Sequence, residues 1–283
     1  MFAVLFPVIV TGIFGVYISY NNPVVREYSY QSGKISEPVK LVILSDLHGN
    51  EFGKNNADLL KLVGEQNADA ILAVGDFLNK YDREHEETVA LLNSLAEIAP
   101  VYYALGNHEV IYMEAQGNRF LEDIEDSSAE FLELSYLDAE LNGQKIRFGG
   151  IQDYAFALDG YDSTNPETMK PEVYTYLCDY QDTGSLKIML AHRPESFVLG
   201  QASETWDVDL VISGHAHGGQ VVLPFFGGIF GHDQGFFPEY VHGFYEKNKI
   251  DILISSGLGS GFAWVPRFNN PPEVVVLTLI PEK

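Results

Sequence analysis

Five short apolar segments of this chain each end in residues that can bind a metal ion. Asp46 and His48 follow segment 41–44, and Asp76 follows segment 70–74. The pattern recurs after 101–105, 187–190 and 208–213, and the complete set is Asp46, His48, Asp76, Asn107, His108, His192, His215 and His217. Borderline transition metals bind imidazole and carboxylate together, so this set suits Mn, Fe or Zn better than Mg or Ca. One ion cannot use so many ligands, and the set predicts two.

The apolar segments have the length of β-strands. Segments 41–44, 70–74 and 101–105 are separated by helical patterns at 56–66 and 86–98. This alternation indicates right-handed crossovers and a mostly parallel sheet. Open α/β sheets gather their binding residues at the carboxyl ends of the strands, which is where the polar residues lie here.

The remaining patterns predict a second sheet. Strand patterns occur at 144–151, 187–190, 208–213, 250–255 and 273–280, an acidic helix is predicted at 118–134, and a loop leads into a helix over 164–177. A strand at 25–30 followed by a turn at 32–34 predicts a hairpin with the strand that begins at Leu41. We therefore expect an α/β fold, a four-layer α-β-β-α sandwich of two mixed sheets flanked by helices.

Composition limits the class of protein and partner. The chain has 283 residues, of which 46% are hydrophobic, so it can bury one large core. Its formal net charge of −23 argues against nucleic acid as a partner, because binding to a phosphate backbone rests on a basic surface. The single cysteine, Cys178, excludes an internal disulfide and a cysteine-rich zinc site.

The N-terminal segment predicts a membrane anchor. Residues 1–25 carry no charge, and Phe2 to Tyr20 is close to the roughly 20 apolar residues that a helix needs to cross a bilayer. A cleaved signal peptide is disfavoured, because the start lacks Lys and Arg and no small-residue cleavage site follows. A buried core helix is the other alternative, although the segment has no polar face. We expect a single-pass protein of the cell membrane, with residues 1–25 as anchor and 26–283 as catalytic domain.

The charges that follow this segment bear on its orientation. Arg26, Lys34 and Lys40 come after it, and no basic residue comes before it. Positive charge flanks membrane segments on the cytoplasmic side, so the pattern favours a cytoplasmic catalytic domain.

The metal-binding residues belong to ordered blocks that resemble a known family. The blocks are Asp46-x-His48, Gly75-Asp76, Gly106-Asn107-His108-Glu109, His192 and Gly214-His215-x-His217. In order and spacing they resemble the calcineurin-like metallophosphoesterase superfamily. The apolar N-terminus, Gly218-Gly219-Gln220 and the segment 266–273 look like its bacterial membrane-associated phosphodiesterase branch. The chain departs from that branch at Pro238-Glu239-Tyr240, where a basic Pro-Lys-Tyr element is usual.

The resemblance implies a role for each residue. One ion would be held by Asp46, His48, Asp76 and His217, and the other by Asp76, Asn107, His192 and His215, so that the Asp76 carboxylate bridges them. The ions would be two divalent metals, or Fe³⁺ with a divalent partner. Two ions about 4 Å apart can supply a hydroxide nucleophile and polarise the phosphoryl oxygens. His108 would act catalytically at the leaving oxygen, with Glu109 as a candidate for orienting it.

The substrate is a phosphoester whose class the sequence leaves open. The predicted function is hydrolysis of a phosphodiester, pyrophosphate or phosphomonoester of small-molecule or lipid origin. Alternatives are a nucleotide or phosphoprotein phosphatase, or a catalytically silent metal-binding scaffold. The aromatic loop 223–244 either receives a hydrophobic substrate or packs on the core. Arg193 and Arg267 either grip phosphate or stabilise the fold. His85 is expected to be solvated, and His232 and His242 receive no role.

Overall fold

The computed structural model describes residues 2–152, 169–261 and 265–282, with side chains from residue 12 onward. In chain order its strands are Val24–Ser32 (β1), Val39–Leu44 (β2), Ala70–Val74 (β3), Val101–Ala104 (β4), Glu130–Phe131 (β5), Ser135–Leu141 (β6), Gln144–Ile151 (β7), Leu186–Ala191 (β8), Leu210–Ser213 (β9), Val222–Leu223 (β10), Gly227–Gly228 (β11), Phe230–Gly231 (β12), Gly235–Phe236 (β13), Gly243–Lys247 (β14), Ile250–Ile254 (β15) and Glu273–Pro281 (β16). Most of these strands form two sheets of six strands each.

Helices connect and flank the strands. They are Phe2–Asn21 (α1), Ala57–Gly64 (α2), Glu86–Ala96 (α3), Asn107–Gln116 (α4), Arg119–Glu125 (α5), Pro171–Gln181 (α6), Glu195–Val198 (α7) and Ala202–Thr205 (α8), with single 3₁₀ turns at Lys54–Asn56 and His217–Gly219. Leu59 of α2 and Leu92 of α3 are buried against the first sheet. Leu177 and Tyr180 of α6 belong to the core on the outer face of the second sheet.

The first sheet has the order β1-β16-β2-β3-β4-β5. The strands β2 to β5 are mutually parallel, as the alternation of strands and helices predicts. The hairpin predicted between β1 and β2 is wrong, because β16 lies between them. This strand pairs with nine residues of β1 in parallel and with β2 in antiparallel register. Its almost wholly apolar sequence suits an interior position in a sheet covered on both faces.

The second sheet has the order β14-β15-β9-β8-β7-β6 and packs face to face with the first. Leu41 and Leu72 of the first sheet share a buried cluster with Ile188 and Ile212 of the second. Because helices cover the outer face of each sheet, the architecture is an α-β-β-α arrangement of two mixed sheets, as predicted.

Two helix predictions need correction or restriction. The helix predicted over 118–134 ends at Glu125, because residues 130–131 instead pair with β4. The ring centroids of Phe131 and Tyr103 lie 6.3 Å apart. Residues 130–131 thus pack on the first sheet as a strand and do not continue the predicted helix. Of the segment 164–177, residues 164–168 lie outside the described residues, and α6 begins at Pro171.

The helix α1 contacts the C-terminal segment of the chain at its carboxyl end. The backbone N–H of Asn270 donates to Oγ of Ser19 at 3.2 Å, and that of Arg267 donates to the Tyr20 hydroxyl at 3.2 Å. Within the described part of the chain, no helix combines the length and the apolarity that a bilayer crossing requires. Much of the anchor predicted for residues 1–25 lies outside the described side chains, which begin at residue 12.

Candidate metal centre

The carboxyl ends of four strands and the start of one helix converge on a single site. Asp46 and His48 follow β2, Asp76 follows β3, Asn107 and His108 begin α4 just after β4, His192 follows β8, and His215 and His217 follow β9. Asn107 is half-buried and the other seven side chains are buried. The structure thus brings together every site residue that the sequence predicts.

The backbone at these strand ends is strained. A left-handed φ occurs at Asp46 (51°), His48 (50°), Asp76 (55°), His215 (66°) and His217 (47°). Asp and His tolerate this region better than most residues, but each instance costs on the order of 1 to 3 kcal/mol. Such strain is typical of functional sites, and here it belongs to five of the seven predicted ligands.

Two glycines allow the loops to approach the carboxylates. A Cβ atom on Gly106 would collide with the Asp76 carboxylate, and one on Gly214 would collide with the Asp46 carboxylate. Glycine is therefore required at both positions for steric reasons, and the Gly-Asn-His and Gly-His blocks place their side chains directly against the two acids.

Asp76 lies between two histidines at the centre of the site. Its Oδ2 atom is 3.1 Å from Nε2 of His192 and 3.6 Å from Nε2 of His48. Its Oδ1 atom accepts a hydrogen bond of 2.8 Å from the backbone N–H of His108. Potential ligand atoms of the residues predicted from sequence form three groups within 4.8 Å, namely Asp46, His48 and His217; His48, Asp76 and His108; and Asp76, His192 and His215. The groups share His48 and Asp76, so the Asp76 carboxylate has the position of a bridge between two ion sites.

The chemistry of these side chains fits bound metal. Both ring nitrogens of His48, Nε2 of His192 and Oδ1 of Asn107 are buried and make no hydrogen bond with the described residues. A buried polar atom left in this state costs about 1 to 3 kcal/mol. A metal ion would satisfy imidazole nitrogens and an amide oxygen together, and the two carboxylates supply the balancing charge.

The histidines and acids carry strongly shifted pKa values. Burial lowers the pKa of His48 to about 3 and that of His215 to about 4, which keeps their lone pairs available. Burial also opposes a charge on His192, but the carboxylates of Asp76 and Asp46 raise its pKa to about 10. Burial would raise the pKa of Asp76, yet His192 and His48 hold it well below its usual value. A proton on His192 would balance the Asp76 charge in the metal-free protein, and a bound metal ion would take the place of that proton.

His108 lies beside the predicted ligands with a defined tautomer. Its ring centroid is 4.4 Å from that of His48, at an interplanar angle of 73°. Its Nδ1 atom accepts a hydrogen bond of 3.1 Å from the backbone N–H of Lys80. Burial lowers its pKa to about 4, so the neutral ring carries its proton on Nε2. His108 can therefore donate a hydrogen bond from Nε2.

Glu109 has a different role from the one predicted. Its carboxylate accepts backbone N–H groups of Gly106 (2.8 Å), Asp76 (2.8 Å), Phe77 (2.6 Å) and Leu78 (3.1 Å). The hydrogen bonds of Glu109 within the described residues go to these backbone groups, and the group that orients the His108 ring is the Lys80 backbone N–H. Glu109 instead fixes the loop that carries Asp76 to the start of α4.

Arg267 is a structural residue. It is fully buried, and its guanidinium donates to backbone oxygens of Ser256 (2.8 Å), Gly259 (2.6 Å) and Asn270 (3.1 Å). These bonds use the donors that phosphate would need, so of the two roles left open for Arg267 the structure supports fold stabilisation. Arg193, which follows His192 directly, stays the candidate.

Sequence reasoning missed contributions from the loop 223–244. Nε2 of His215 lies 2.8 Å from Oδ2 of Asp233, and the His232 ring stacks on His215 with centroids 5.4 Å apart. No periodicity or motif connects Asp233 with His215, and only the position of the loop after His217 hinted at the contact. Nε2 of His242 lies 2.9 Å from Oε2 of Glu273, away from the site.

The prediction that His85 is solvated is also wrong. Its side chain is buried, with Nδ1 3.0 Å from the Tyr112 hydroxyl and Nε2 2.6 Å from Asp123. It joins α3 to α4 and α5 within the outer layer of the fold.

Known proteins resemble this chain in the same region. A model of the calcineurin-like phosphoesterase family matches residues 39–219, which is more than half of the chain and includes every predicted ligand. The chain belongs to the calcineurin-like phosphoesterases. Members of this family use dimetal centres, in agreement with the two overlapping ligand groups around Asp76.

Bacterial relatives extend the match over nearly the whole chain. An uncharacterized metallophosphoesterase of Campylobacter jejuni is 29% identical over 96% of this chain and 68% of its own length. One from Aquifex aeolicus is 30% identical over 90% of this chain and 91% of its own. The phosphodiesterase YaeI of Escherichia coli is 28% identical, covering 86% of this chain and 83% of its own.

A solved structure shows the same fold at low sequence identity. The sulfate thiohydrolase SoxB of Thermus thermophilus, in complex with glycerol, superimposes with a TM-score of 0.52 at 12% identity over 80% of this chain. The matched region is 53% of the SoxB chain, so the present chain corresponds to about half of that protein.

Proposed function

We propose that this protein is a metal-dependent phosphoesterase that hydrolyses a phosphodiester, pyrophosphate or phosphomonoester. The observation that carries the proposal is the position of Asp76, whose carboxylate lies within 3.6 Å of histidines from both ligand groups. Bound as a pair, Mn, Fe or Zn ions would activate water as the nucleophile and polarise the phosphoryl oxygens. The first set would be Asp46, His48, Asp76 and His217, and the second Asp76, Asn107, His192 and His215.

The protein's own groups would complete the reaction. His108 would donate a hydrogen bond from Nε2 to the leaving oxygen, because Nδ1 is engaged by the Lys80 backbone. Arg193 would contact a phosphate oxygen from its place directly after His192. Glu109 and the glycines at 106 and 214 hold the loops that fix these distances.

Metal-dependent hydrolysis of model esters tests this function. The full chain is stripped of metal and refilled with Mn, Fe, Zn or Mg, and turnover of bis(p-nitrophenyl) phosphate and p-nitrophenyl phosphate is measured while bound metal is counted. We expect turnover only in refilled samples, with the diester preferred, as the similarity to YaeI suggests. Bound metal without turnover of either ester would support the scaffold alternative, and absence of bound metal in folded protein would reject the proposal.

The aromatic loop supports a lipid-linked or otherwise hydrophobic substrate. Phe225 is fully exposed, and Phe226 (71%), Phe236 (74%) and Phe237 (64%) are largely exposed. They follow the His217 block on two short hairpins, β10-β11 and β12-β13. Exposed aromatic side chains of this kind are costly in water and are enriched where proteins contact apolar ligands or membrane interfaces. The alternative that the aromatic loop packs on the core therefore does not account for these four phenylalanines.

A paired substitution tests the loop's contribution. The double variant Phe225→Ser and Phe226→Ser is compared with Leu137→Ser, which removes an exposed apolar side chain on β6. We expect the double variant to lose turnover of an undecaprenyl- or diacyl-linked phosphoester in detergent micelles while keeping turnover of bis(p-nitrophenyl) phosphate. Equal losses on the two substrates would contradict a role in hydrophobic substrate binding.

We also propose, on the strength of the sequence, that residues 1–25 attach the chain to the cell membrane with the catalytic domain on the cytoplasmic side. The uncharged N-terminus and the exposed Ile13, Phe14 and Tyr17 of α1 support attachment. Carbonate extraction of membranes and protease accessibility in spheroplasts test it. Recovery in the carbonate-washed supernatant would reject the anchor.

A further inference from the structure

The hairpin β12-β13 covers the second predicted ion site with polar side chains. Between its two strands lie His232, Asp233 and Gln234. The ring of His232 stacks on His215 at 25°, and Oδ2 of Asp233 lies 2.8 Å from Nε2 of His215. The sequence of this loop is mainly aromatic and glycine-rich, but the loop contacts the predicted metal ligand His215 through the polar residues of its turn.

The hairpin holds Asp233 in a defined position. The Gln234 amide donates to the backbone oxygen of Tyr240 at 2.7 Å and to Oε1 of Glu195 at 3.1 Å, and its Oε1 accepts the Tyr240 N–H at 3.0 Å. The rings of Phe230 and Phe236 meet edge to face with centroids 5.4 Å apart. Glu195 is buried, so these bonds attach the turn to the core and not to a mobile surface.

His215 is held at both ends by carboxylates. Its backbone N–H donates to Asp46 at 3.0 Å, and its Nε2 contacts Asp233. A neutral imidazole carries one N–H, and a carboxylate at Nε2 places that proton on Nε2. The lone pair is then on Nδ1, the nitrogen left for an ion shared with Asp76 and His192. Histidine ligands commonly give their other N–H to a carboxylate, which fixes the ring and strengthens the ligand.

We propose that Asp233 is a positioning residue for metal binding, which holds His215 in the Nε2–H tautomer with Nδ1 directed to the second ion. This inference rests on the proposed function, because it takes His215 as a ligand. The competing role is a ligand role for Asp233 itself, since Glu195, His215 and Asp233 also form a group within 4.8 Å. The two roles predict different effects of a substitution. Loss of a positioning residue lowers the affinity for the metal ion, whereas loss of a ligand lowers the number of ions bound.

Metal titration of three variants separates these roles. Zn²⁺ is titrated into metal-free wild type, Asp233→Asn and Asp233→Ala, with Asp126→Asn on the distant surface as control. We expect all of them to bind the same number of ions, with affinity at the weaker site reduced about 10- to 100-fold in Asp233→Ala. Asp233→Asn should recover part of the loss, because its amide oxygen can still accept from Nε2. A lower ion count, or unchanged affinity in Asp233→Ala, would overturn the proposal.

The tautomer is measured without metal. Long-range ¹H–¹⁵N spectra of metal-free protein report which nitrogen of His215 carries the proton, and thermal unfolding verifies that each variant is folded. We expect the Nε2–H form in wild type and a mixture of tautomers in Asp233→Ala. A proton on Nδ1 in wild type would overturn the proposal. If wild type shows Nε2–H yet binds no Zn²⁺, the proposed function fails while the Asp233–His215 contact stands.

Discussion

The backbone N–H of Lys80 donates a hydrogen bond of 3.1 Å to Nδ1 of His108. A backbone N–H group cannot accept a hydrogen bond, so this bond leaves the proton of the neutral ring on Nε2 and keeps that nitrogen a donor. A main-chain group does not titrate, and the tautomer is therefore fixed by the fold of the Asp76 loop.

The variant His108→Ala should lose the assistance given to the leaving oxygen while retaining bound metal. A hydrogen bond to the charge that develops on the leaving oxygen contributes roughly 100- to 1,000-fold, and it matters most for poor leaving groups. We expect turnover of alkyl phosphoesters to fall by that range, and turnover of p-nitrophenyl esters to fall much less. Steady-state rates over a series of leaving groups measure this, and equal losses across the series would deny His108 the role.

The variant Glu109→Gln should destabilise the Asp76 loop. Four backbone N–H groups converge on the Glu109 carboxylate, and an amide would direct its own N–H groups at some of them. We expect a loss on the order of 3 kcal/mol in the free energy of unfolding. The midpoint of thermal unfolding should fall by about 6 to 12 °C. Glu114→Gln, on the exposed face of the same helix, is the matched control, and equal midpoints for both variants would contradict the assignment.

Glu273 should make stability depend on pH. Its buried carboxylate accepts from Ser256 N–H (2.7 Å), contacts Nε2 of His242 (2.9 Å) and pairs with Nε of Arg26 (2.9 Å). Burial would raise its pKa, but His242, Ser256 and Arg26 lower it below the usual value. A folded-state pKa below the unfolded one contributes stability above the unfolded pKa, and that stability is lost as pH falls through the folded pKa.

The variant Glu273→Gln tests this dependence. In chelator, so that metal release does not interfere, wild type should exceed the variant by about 2 kcal/mol at neutral pH. The difference should shrink as the pH falls below the ordinary pKa of a glutamate towards the lower pKa of the folded state, because the carboxyl group then protonates. Urea unfolding across the pH range measures it, with the exposed Glu97→Gln as control. A difference that does not change with pH would contradict the pKa shift.

Substitution of the two arginines should separate structure from substrate binding. Arg267→Lys keeps the charge but loses most donors to Ser256, Gly259 and Asn270, so we expect about 2 kcal/mol lower stability with an unchanged KM. Arg193→Lys should raise KM for bis(p-nitrophenyl) phosphate several-fold, because lysine cannot contact phosphate in a bidentate manner. A raised KM in the folded Arg267→Lys protein would restore a phosphate role for that residue.

The convergence of the candidate ligands could be predicted from sequence because each lies next to a strong local signal. An apolar run of strand length followed by Asp-x-His or Gly-Asp indicates both the strand and the edge of the sheet where the polar group lies. Once the strands pair into sheets, these strand ends lie side by side, so no further sequence signal is needed to predict that the polar groups meet. The backbone strain at Asp46 and His48 could not be foreseen, because it depends on how neighbouring loops pack.

The remaining contacts join residues that are distant in the chain. The Glu109 carboxylate binds N–H groups 31 to 33 residues away, and Asp233 lies 18 residues from His215. The strand β16 enters the first sheet between β1 and β2, although about 230 residues separate it from β2. Local sequence patterns do not show which distant residues pair, which is why the hairpin and His85 were predicted wrongly and the role of Arg267 was left open.

The proposed role of Asp76, a carboxylate that would serve both ions, is tested most directly by a metal count on Asp76→Asn. Wild type and variant are loaded with Zn²⁺ or Mn²⁺, dialysed together and analysed for metal per chain, with bis(p-nitrophenyl) phosphate turnover measured in parallel. An amide cannot bridge two cations as a carboxylate does, so we predict about half the bound metal or less, with turnover abolished. Unchanged metal content in the folded variant would contradict the two-ion site, whatever its activity.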